Sequence, residues 1–368
     1  MEKFAFIIHP LQARRDVARK YPVARFIPEP ALEWYMKRRG PILAAHLTGI
    51  RSPTGAEAEG WFIGCPLTPR LFLSMPLDEV YARLEACGHM AEELGAGIVG
   101  LGAFTSVVGD GGITLAKRLS IPVTTGNSYT VATAIEGTRE AAQIMGISVP
   151  EATVAVVGAT GSIGATCAEI MAREAREIVL VGRNTQKLQA LEERLSARGG
   201  TAKISSSISI AEGLKDAQIV ITVSSAVEAI IQPEHIRPGA VVCDVARPRD
   251  VSASVAAKRR DVLVIEGGVV RVPGDMKCLK PGSTQPFSFG FPPGTAYACM
   301  SETMALALDR RYESFTLGKE VSVAQVDEIS RICRRHGFTL AGFRSFERAI
   351  SEDEIRRIRA AAGIAAAS

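Results

Sequence analysis

Residues 153–164 read TVAVVGATGSIG, and their reading decides the fold. The apolar run Val154–Val157 is the pattern of a strand covered on both faces of a parallel sheet. It enters Gly158-Ala-Thr160-Gly161-Ser162-Ile163-Gly164, a turn in which the glycines let the backbone approach a pyrophosphate. The helix expected to follow would present its first N–H groups to that anion. The spacing G-x-x-G-x-x-G departs from the common G-x-G-x-x-G, so it is the strand–turn–helix context that makes this a dinucleotide site. Downstream, strand and helix alternate: GSIGATCAEIMARE, IVLVG, NTQKLQALEERLSARGG, then IVITV, VVCDV and VLVIE. That alternation predicts a doubly wound, Rossmann-type domain.

The second strand bears on which dinucleotide binds. An NAD site places Asp or Glu about 20 residues past the glycines to hold the ribose diol. Here IVLVGRN puts Arg183 and Asn184 at that place, with Lys187 one turn on. A guanidinium can pair with a 2′-phosphate that a carboxylate would repel, so NADPH is the expected cofactor. Ser224-Ser225 and Gly267-Gly268 fall at carboxyl ends of later strands, where ligands of open α/β sheets bind. Ser224, Ser225 and Gly268 are therefore candidates to border the nicotinamide; a plain turn at each is the alternative, and the sequence leaves both open.

A chain of 368 residues is long enough for more than one core, and 47% hydrophobic with 22% charged residues is the composition of a folded protein. Forty-three basic and 39 acidic residues leave a net charge of +4, read as spread along the chain, and local arginine pairs read as solvated helix faces. No nucleic-acid partner is expected. The first apolar run is too short for a signal-peptide core, and nothing approaches the roughly 18 apolar residues that span a bilayer. Seven cysteines without C-x-x-C pairs argue against a disulfide framework or a structural zinc site; the expectation is a reduced, cytoplasmic enzyme, with no metal ligand among the candidate site residues.

The expected architecture is α/β: a central doubly wound Rossmann domain (150–290) between an N-terminal α/β substrate domain (1–149) and a C-terminal helical region (291–368). FAFII, ILAAHLTGI, GWFIGCPL and GAGIVGLGAF read as N-terminal strands, and LDEVYARLEACGHMAEELGA as a helix. A second helix opens near Asn127 or Ser128 and stops at Gly146. The Gly/Pro-rich stretch 272–294 reads as a long loop.

None of the five histidines belongs to a Y-x-x-x-K or metal-ligand pattern, so alcohol chemistry lacks an obvious acid–base group. Thioester reduction needs a thiol instead, since a thiolate attacks an acyl carbonyl and later departs readily. Cys65 in WFIGCPLTP and Cys299 in AYACMSETM are the candidates; Cys167, Cys243 and Cys278 are weaker. Spacing alone gives Cys299 a packing role as readily as a nucleophilic one. In TTGNSYT and LGAFTS, Thr125, Asn127, Ser128, Phe104 and Thr105 are candidates for a substrate wall, with helix capping the alternative.

Over most of its length the chain resembles the long-chain fatty acyl-[acyl-carrier-protein] reductases that form aldehydes. The likeness rests on GWFIGCPLTP, LGAFTSVV (101–108), TTGNSYT (124–130), ATVAVVGATGSIGATCAEIMA, AYACMSETMALAL and ISRICRRHGF. The TTGN and A-C-x-x-E-x-M elements are the specific ones. The resemblance implies Cys299 as the acylated nucleophile, with Glu302 in the same element. It also implies a fatty acyl thioester on acyl carrier protein or CoA as substrate, and a fatty aldehyde as product. Transient contact with a membrane surface or with a downstream aldehyde-using enzyme would suit such a product. The N-terminal 60 residues match loosely, and RRDVARKYPVARFIPEP carries extra basic residues. Glutamyl-tRNA reductase-like and shikimate dehydrogenase-like oxidoreductases, or a non-catalytic NADP-binding protein, are the alternatives. Against the first stands the missing nucleophile element in the N-terminal part, and against the second the missing Lys–Asp pair.

Overall fold

The computed structural model describes residues 1–288, 290 and 292–365, with the side chains of Arg19 and Lys20 left aside. Residues 366–368, at the end of the expected C-terminal helical region, lie outside the described residues, as do Phe289 and Phe291 of the Gly/Pro-rich stretch.

In chain order, the first part contains β1 (Glu2–Ile8), α1 (Ala13–Lys20), α2 (Glu29–Met36), β2 (Ile42–Arg51), β3 (Glu57–Gly64), α3 (Pro69–Ser74), α4 (Leu77–Glu93), β4 (Val99–Leu101), α5 (Ile113–Arg118), β5 (Val123–Thr124) and α6 (Asn127–Ile144). The middle part holds β6 (Thr153–Val157), α7 (Ser162–Met171), β7 (Glu177–Val181), α8 (Thr185–Ala197), β8 (Lys203–Ser207), α9 (Ile210–Leu214), β9 (Ile219–Thr222), β10 (Val241–Asp244), α10 (Ala253–Lys258) and β11 (Leu263–Glu266). After these come β12 (Val269–Arg271), β13 (Gly274–Leu279), β14 (Thr295–Tyr297), α11 (Ala298–Leu308) and α12 (Val323–Arg335).

Two compact units result. One comprises Met1–Tyr129, Val270–Glu320 and Asp327–Thr339; the other comprises Thr130–Val269, Val321–Val326 and Leu340–Ser368. This partition differs from the three consecutive regions expected, because chain continuity and packing diverge. Helix α6 leaves the first unit after Tyr129, and the segment after Val270 returns to it. Within the stretch expected to be a loop, β13 pairs antiparallel with β2, opposing Lys277 to Thr48 and Cys278 to Leu47. Its backbone polar groups thereby find ladder partners, as burial demands.

The first unit's sheet has the order β13-β2-β3-β1-β4-β5. Strands β3, β1, β4 and β5 run parallel, and β2 and β13 add antiparallel edges. Its core packs Ile7, Ile63 and Leu101 beneath α4, whose Val80, Leu84, Cys87 and Ala91 recur at helical spacing. The second unit's sheet is parallel throughout, in the order β11-β10-β9-β6-β7-β8. Order reverses at β6, between β9 and β7, which is the topological switch point of a dinucleotide-binding sheet. Strands β6, β9, β10 and β11 are buried at every position, as continuous apolar runs on a two-sided sheet require. The expected Rossmann architecture is present.

Candidate functional site

In the second unit the switch point is built by the turn after β6 and the turn after β9. Gly158 takes φ +78°, and a methyl group there would lie 2.7 Å from the Val223 carbonyl oxygen and 3.0 Å from the Ser224 Cα. A methyl group at Gly164 would overlap the Gly158 carbonyl, so this glycine lets α7 approach the turn. Gly161 is the N-cap residue of α7 and offers no side chain to the first-turn amides. Thr160 and Gly161 are exposed, and Ser162 and Ile163 half-buried. A cradle of backbone that only glycine permits, ending on a helix start without a capping side chain, fits a pyrophosphate.

Arg183 follows β7 with an exposed guanidinium that has no hydrogen bond or ion pair among the described residues. Asn184 takes the capping role: its Oδ1 accepts the Lys187 N–H at 2.9 Å and opens α8. Lys187 is exposed. Ser224 serves the turn, donating its hydroxyl to Asp250 Oδ1 at 2.5 Å, while its N–H donates to Asp250 Oδ2 at 2.8 Å. Thr222 Oγ1 donates to the same Oδ2 at 2.5 Å. Ser225 is exposed, and Gly268 turns the chain between β11 and β12 at φ +82°. Asp250, buried and central to this turn, carries no local signal in the sequence, because its partners lie 26 and 28 residues away. Asp244, at the end of β10, accepts the Val251 N–H at 3.0 Å and so holds the same loop. Burial pushes its carboxyl up to about 7, although Arg247 opposes the shift.

The first unit contains the thiol site. Ten of the eleven residues of α11 are buried, and the exception is Cys299, its second residue. Gly126, at φ +72°, lies against it so closely that a methyl group there would overlap the Cys299 Cα and Cβ and come 2.6 Å from its carbonyl oxygen. On another side, a methyl group at Gly102 would be 3.3 Å from the Cys299 Sγ. The elements TTGNSYT and LGAFTS are thus both brought to this cysteine. All seven cysteines are thiols, and five are buried. Cys65 is fully buried and hydrogen-bonded with Cys87, whose pKa that contact and burial raise well above its usual value. Burial raises Cys333 likewise, and Cys243 and Cys278 to about 12. Cys167 is fully buried, and desolvation raises its thiol also.

Glu302 lies one turn beyond Cys299 and has no solvent exposure. Its Oε1 accepts from Thr124 Oγ1 at 2.6 Å and Thr316 Oγ1 at 3.0 Å. Its Oε2 accepts from Ser128 Oγ at 2.7 Å and the Tyr129 N–H at 2.9 Å. Ser128 and Thr316 hydroxyls also meet at 2.6 Å. Three hydroxyl protons must therefore serve four oxygen–oxygen contacts, and a proton on Glu302 completes the set. Burial raises the Glu302 pKa in the same sense, while Thr124, Tyr129, Ser128 and Thr316 oppose it. The carboxyl ties the 124–129 segment to α11.

Phe104 and Thr105 are buried in the turn that follows Gly102. Thr105 Oγ1 accepts the Gly102 N–H at 2.9 Å and donates to the Gly102 carbonyl at 2.8 Å. Ala103 sits at φ +50°, in the left-handed region that side chains disfavour. The Phe104 N–H donates to His9 Nε2 at 3.2 Å. His9 is left with Nδ1–H to donate to the Pro10 carbonyl at 3.2 Å, and burial lowers its pKa to about 4. His9 therefore stays neutral and supports the turn. His9 and Thr316 carry no recognisable signal in the sequence. Asn127 and Thr125 are buried, and Thr125 Oγ1 has no hydrogen-bond partner among the described residues. No group of three or more His, Cys, Asp or Glu suited to a metal occurs among the described residues.

Residues 139–266, most of the second unit, match the family Shikimate / quinate 5-dehydrogenase. The aminotransferase PigE of a Serratia species is 28% identical over 84% of this chain, but the chain spans only 36% of that protein. The long-chain acyl-[acyl-carrier-protein] reductase of Synechococcus elongatus is 26% identical over 89% of this chain and 95% of its own. Among solved structures, the nucleotide-binding domain of glutamyl-tRNA reductase from Thermoplasma volcanium aligns with 37% of this chain and 84% of its own, at 14% identity and TM-score 0.27. The Δ1-pyrroline-2-carboxylate reductase of Thermococcus litoralis aligns with 36% of this chain and 42% of its own, at 16% identity and TM-score 0.30. The chain is related to nicotinamide-dependent oxidoreductases.

Proposed function

We propose that this chain is an NADPH-dependent reductase of long-chain acyl thioesters that releases a fatty aldehyde through an acyl-Cys299 intermediate. The observation that carries the reading is Cys299 itself, the one residue of a buried helix that is not buried, seated against Gly126 and Gly102. A packing thiol would be buried like its neighbours. The near full-length likeness to an acyl-[acyl-carrier-protein] reductase supports the substrate class, whereas the dehydrogenase family match covers the cofactor-binding part alone.

In this reading the Cys299 thiolate attacks the acyl carbonyl, forming a new carbon–sulfur bond. The carrier thiolate leaves and takes up a proton. NADPH, when bound, supplies the hydride that reduces the acyl carbon to the aldehyde. The bond to Cys299 then breaks and the thiolate is regenerated. The first turn of α11 favours negative charge at Cys299, because its N–H groups have no acceptor within the helix. Thr125 Oγ1 is the donor we assign to the carbonyl oxygen. Glu302, enclosed by its four hydrogen-bond partners, positions TTGNSYT against α11 rather than transferring protons. Gly158–Gly164 would hold the pyrophosphate, and Arg183 the 2′-phosphate.

The test is aldehyde formation from a long-chain acyl thioester, carried by CoA or acyl carrier protein, with NADPH. Cys299→Ala should lose about 10⁴-fold or more in turnover while still binding NADPH. Turnover within tenfold of wild type would overturn the reading.

A further inference from the structure

Residues 12–39 carry eight basic and three acidic side chains, an excess greater than the +4 of the whole chain. The net charge is therefore concentrated here, contrary to the even spread expected from the sequence. Two of the three acids are turned to internal use. Asp16 accepts the N–H groups of Leu11 and Gln12 at 2.8 and 2.9 Å. Glu33 is buried and accepts the Thr68 hydroxyl at 2.8 Å. Glu29 is left as the exposed carboxylate.

The same segment exposes its large aromatics. Phe26 is 77% exposed, Trp34 61% and Tyr35 52%, while Ala13, Ala24, Leu32 and Met36 form the inward cluster. Each outward ring lies beside an arginine: Arg25 with Phe26 at 5.7 Å, Arg38 over Trp34 at 4.0 Å, and Arg39 with Tyr35 at 5.5 Å. Arg14 donates to the Arg25 carbonyl at 2.7 Å, joining α1 to the Phe26 turn, and Arg83 of α4 donates to the Lys37 carbonyl at 2.9 Å. The element is anchored, and its outward aromatics are left exposed by the described residues.

We infer that residues 12–39 dock on an anionic lipid surface. Aromatic rings beside arginines suit a boundary whose interior is apolar and whose headgroups carry phosphate. Basic side chains alone would serve an acidic protein equally well; three solvated rings, each with its own cation, favour the lipid. The chain would lie on the bilayer rather than cross it, since no described helix is long and apolar enough to span one. This inference stands apart from the acyl-thioester reading.

The test is co-sedimentation of the full chain with vesicles of phosphatidylcholine alone and of phosphatidylcholine mixed with phosphatidylglycerol. Wild type should bind the anionic vesicles, release from them with added salt, and shift its tryptophan emission to the blue. The variant R25Q/R38Q/R39Q should partition on the order of 100-fold less strongly. The variant F26S/W34S should lose the emission shift, since Trp61 is the remaining tryptophan. All five substituted side chains are exposed, so circular dichroism should match wild type. Equal binding to both vesicles, or binding unchanged in the arginine variant, would overturn the inference. So would indifference to both vesicles with salt-sensitive binding to an acidic carrier protein instead.

Discussion

Gly126 and Cys299 are in backbone contact: a methyl group added at Gly126 would overlap the Cα and Cβ of Cys299. The glycine of TTGN is there because the helix bearing the thiol lies on top of it. Gly126→Ala should therefore cost about 1–2 kcal/mol for its left-handed conformation, and about 1–3 kcal/mol more for overpacking. Gly55→Ala is the control, with φ +86° and nothing within 4 Å, so it carries the backbone strain alone. Thermal unfolding should separate the two, and only Gly126→Ala should slow acylation of Cys299.

Glu302 gives a prediction with a sign. Its folded pKa is raised above the ordinary 4.5, so between 4.5 and that raised value the folded state holds a proton the unfolded chain has released. Stability is then lost as pH rises through this window. Glu302→Gln cannot ionise and should remove this slope, so its midpoint relative to wild type should climb as pH rises from 4.5. Parallel midpoint curves would contradict a protonated Glu302. Glu302→Ala strands buried donors at about 1–3 kcal/mol each and should unfold far more easily.

Arg183 sets cofactor choice in this account. Arg183→Ala should weaken NADPH binding about 10- to 100-fold, the scale of lost charge-assisted hydrogen bonds, with little change for NADH. Fluorescence titration with each cofactor reads this directly. Equal losses for both would place the guanidinium away from the 2′-phosphate.

Asp250 should act on the same site from beneath. Asp250→Ala removes the acceptor for Thr222 and for both donors of Ser224, loosening the turn that touches Gly158. Affinity for both cofactors should fall together, which distinguishes this variant from Arg183→Ala.

The Rossmann sheet is legible in the sequence because its signals are local: a two-sided apolar strand, a glycine turn and a helix follow one another within about twenty residues. Cys299 can be singled out, but its exposure cannot, since helical spacing alone makes it as apolar as Met300 or Met304. Ser224 illustrates the opposite case. Its place at a strand end is readable, whereas its bonds to Asp250 depend on a loop folding back from β10. The antiparallel β13 reads as loop because Gly and Pro flank it and its ladder partners lie on the distant β2, with one further bridge from Leu279 to Pro286. His9 and Thr316 come into view only through distant contacts, His9 with Phe104 and Thr316 with Glu302, Ser128 and Thr124.

The most direct measurement is the intact mass of wild type and Cys299→Ala after incubation with a long-chain acyl thioester without NADPH. An acyl-Cys299 intermediate gives one acyl adduct on wild type, none on the variant, and discharge of the adduct as aldehyde when NADPH is added. An adduct on both proteins, or an adduct on wild type that NADPH leaves in place, would contradict it.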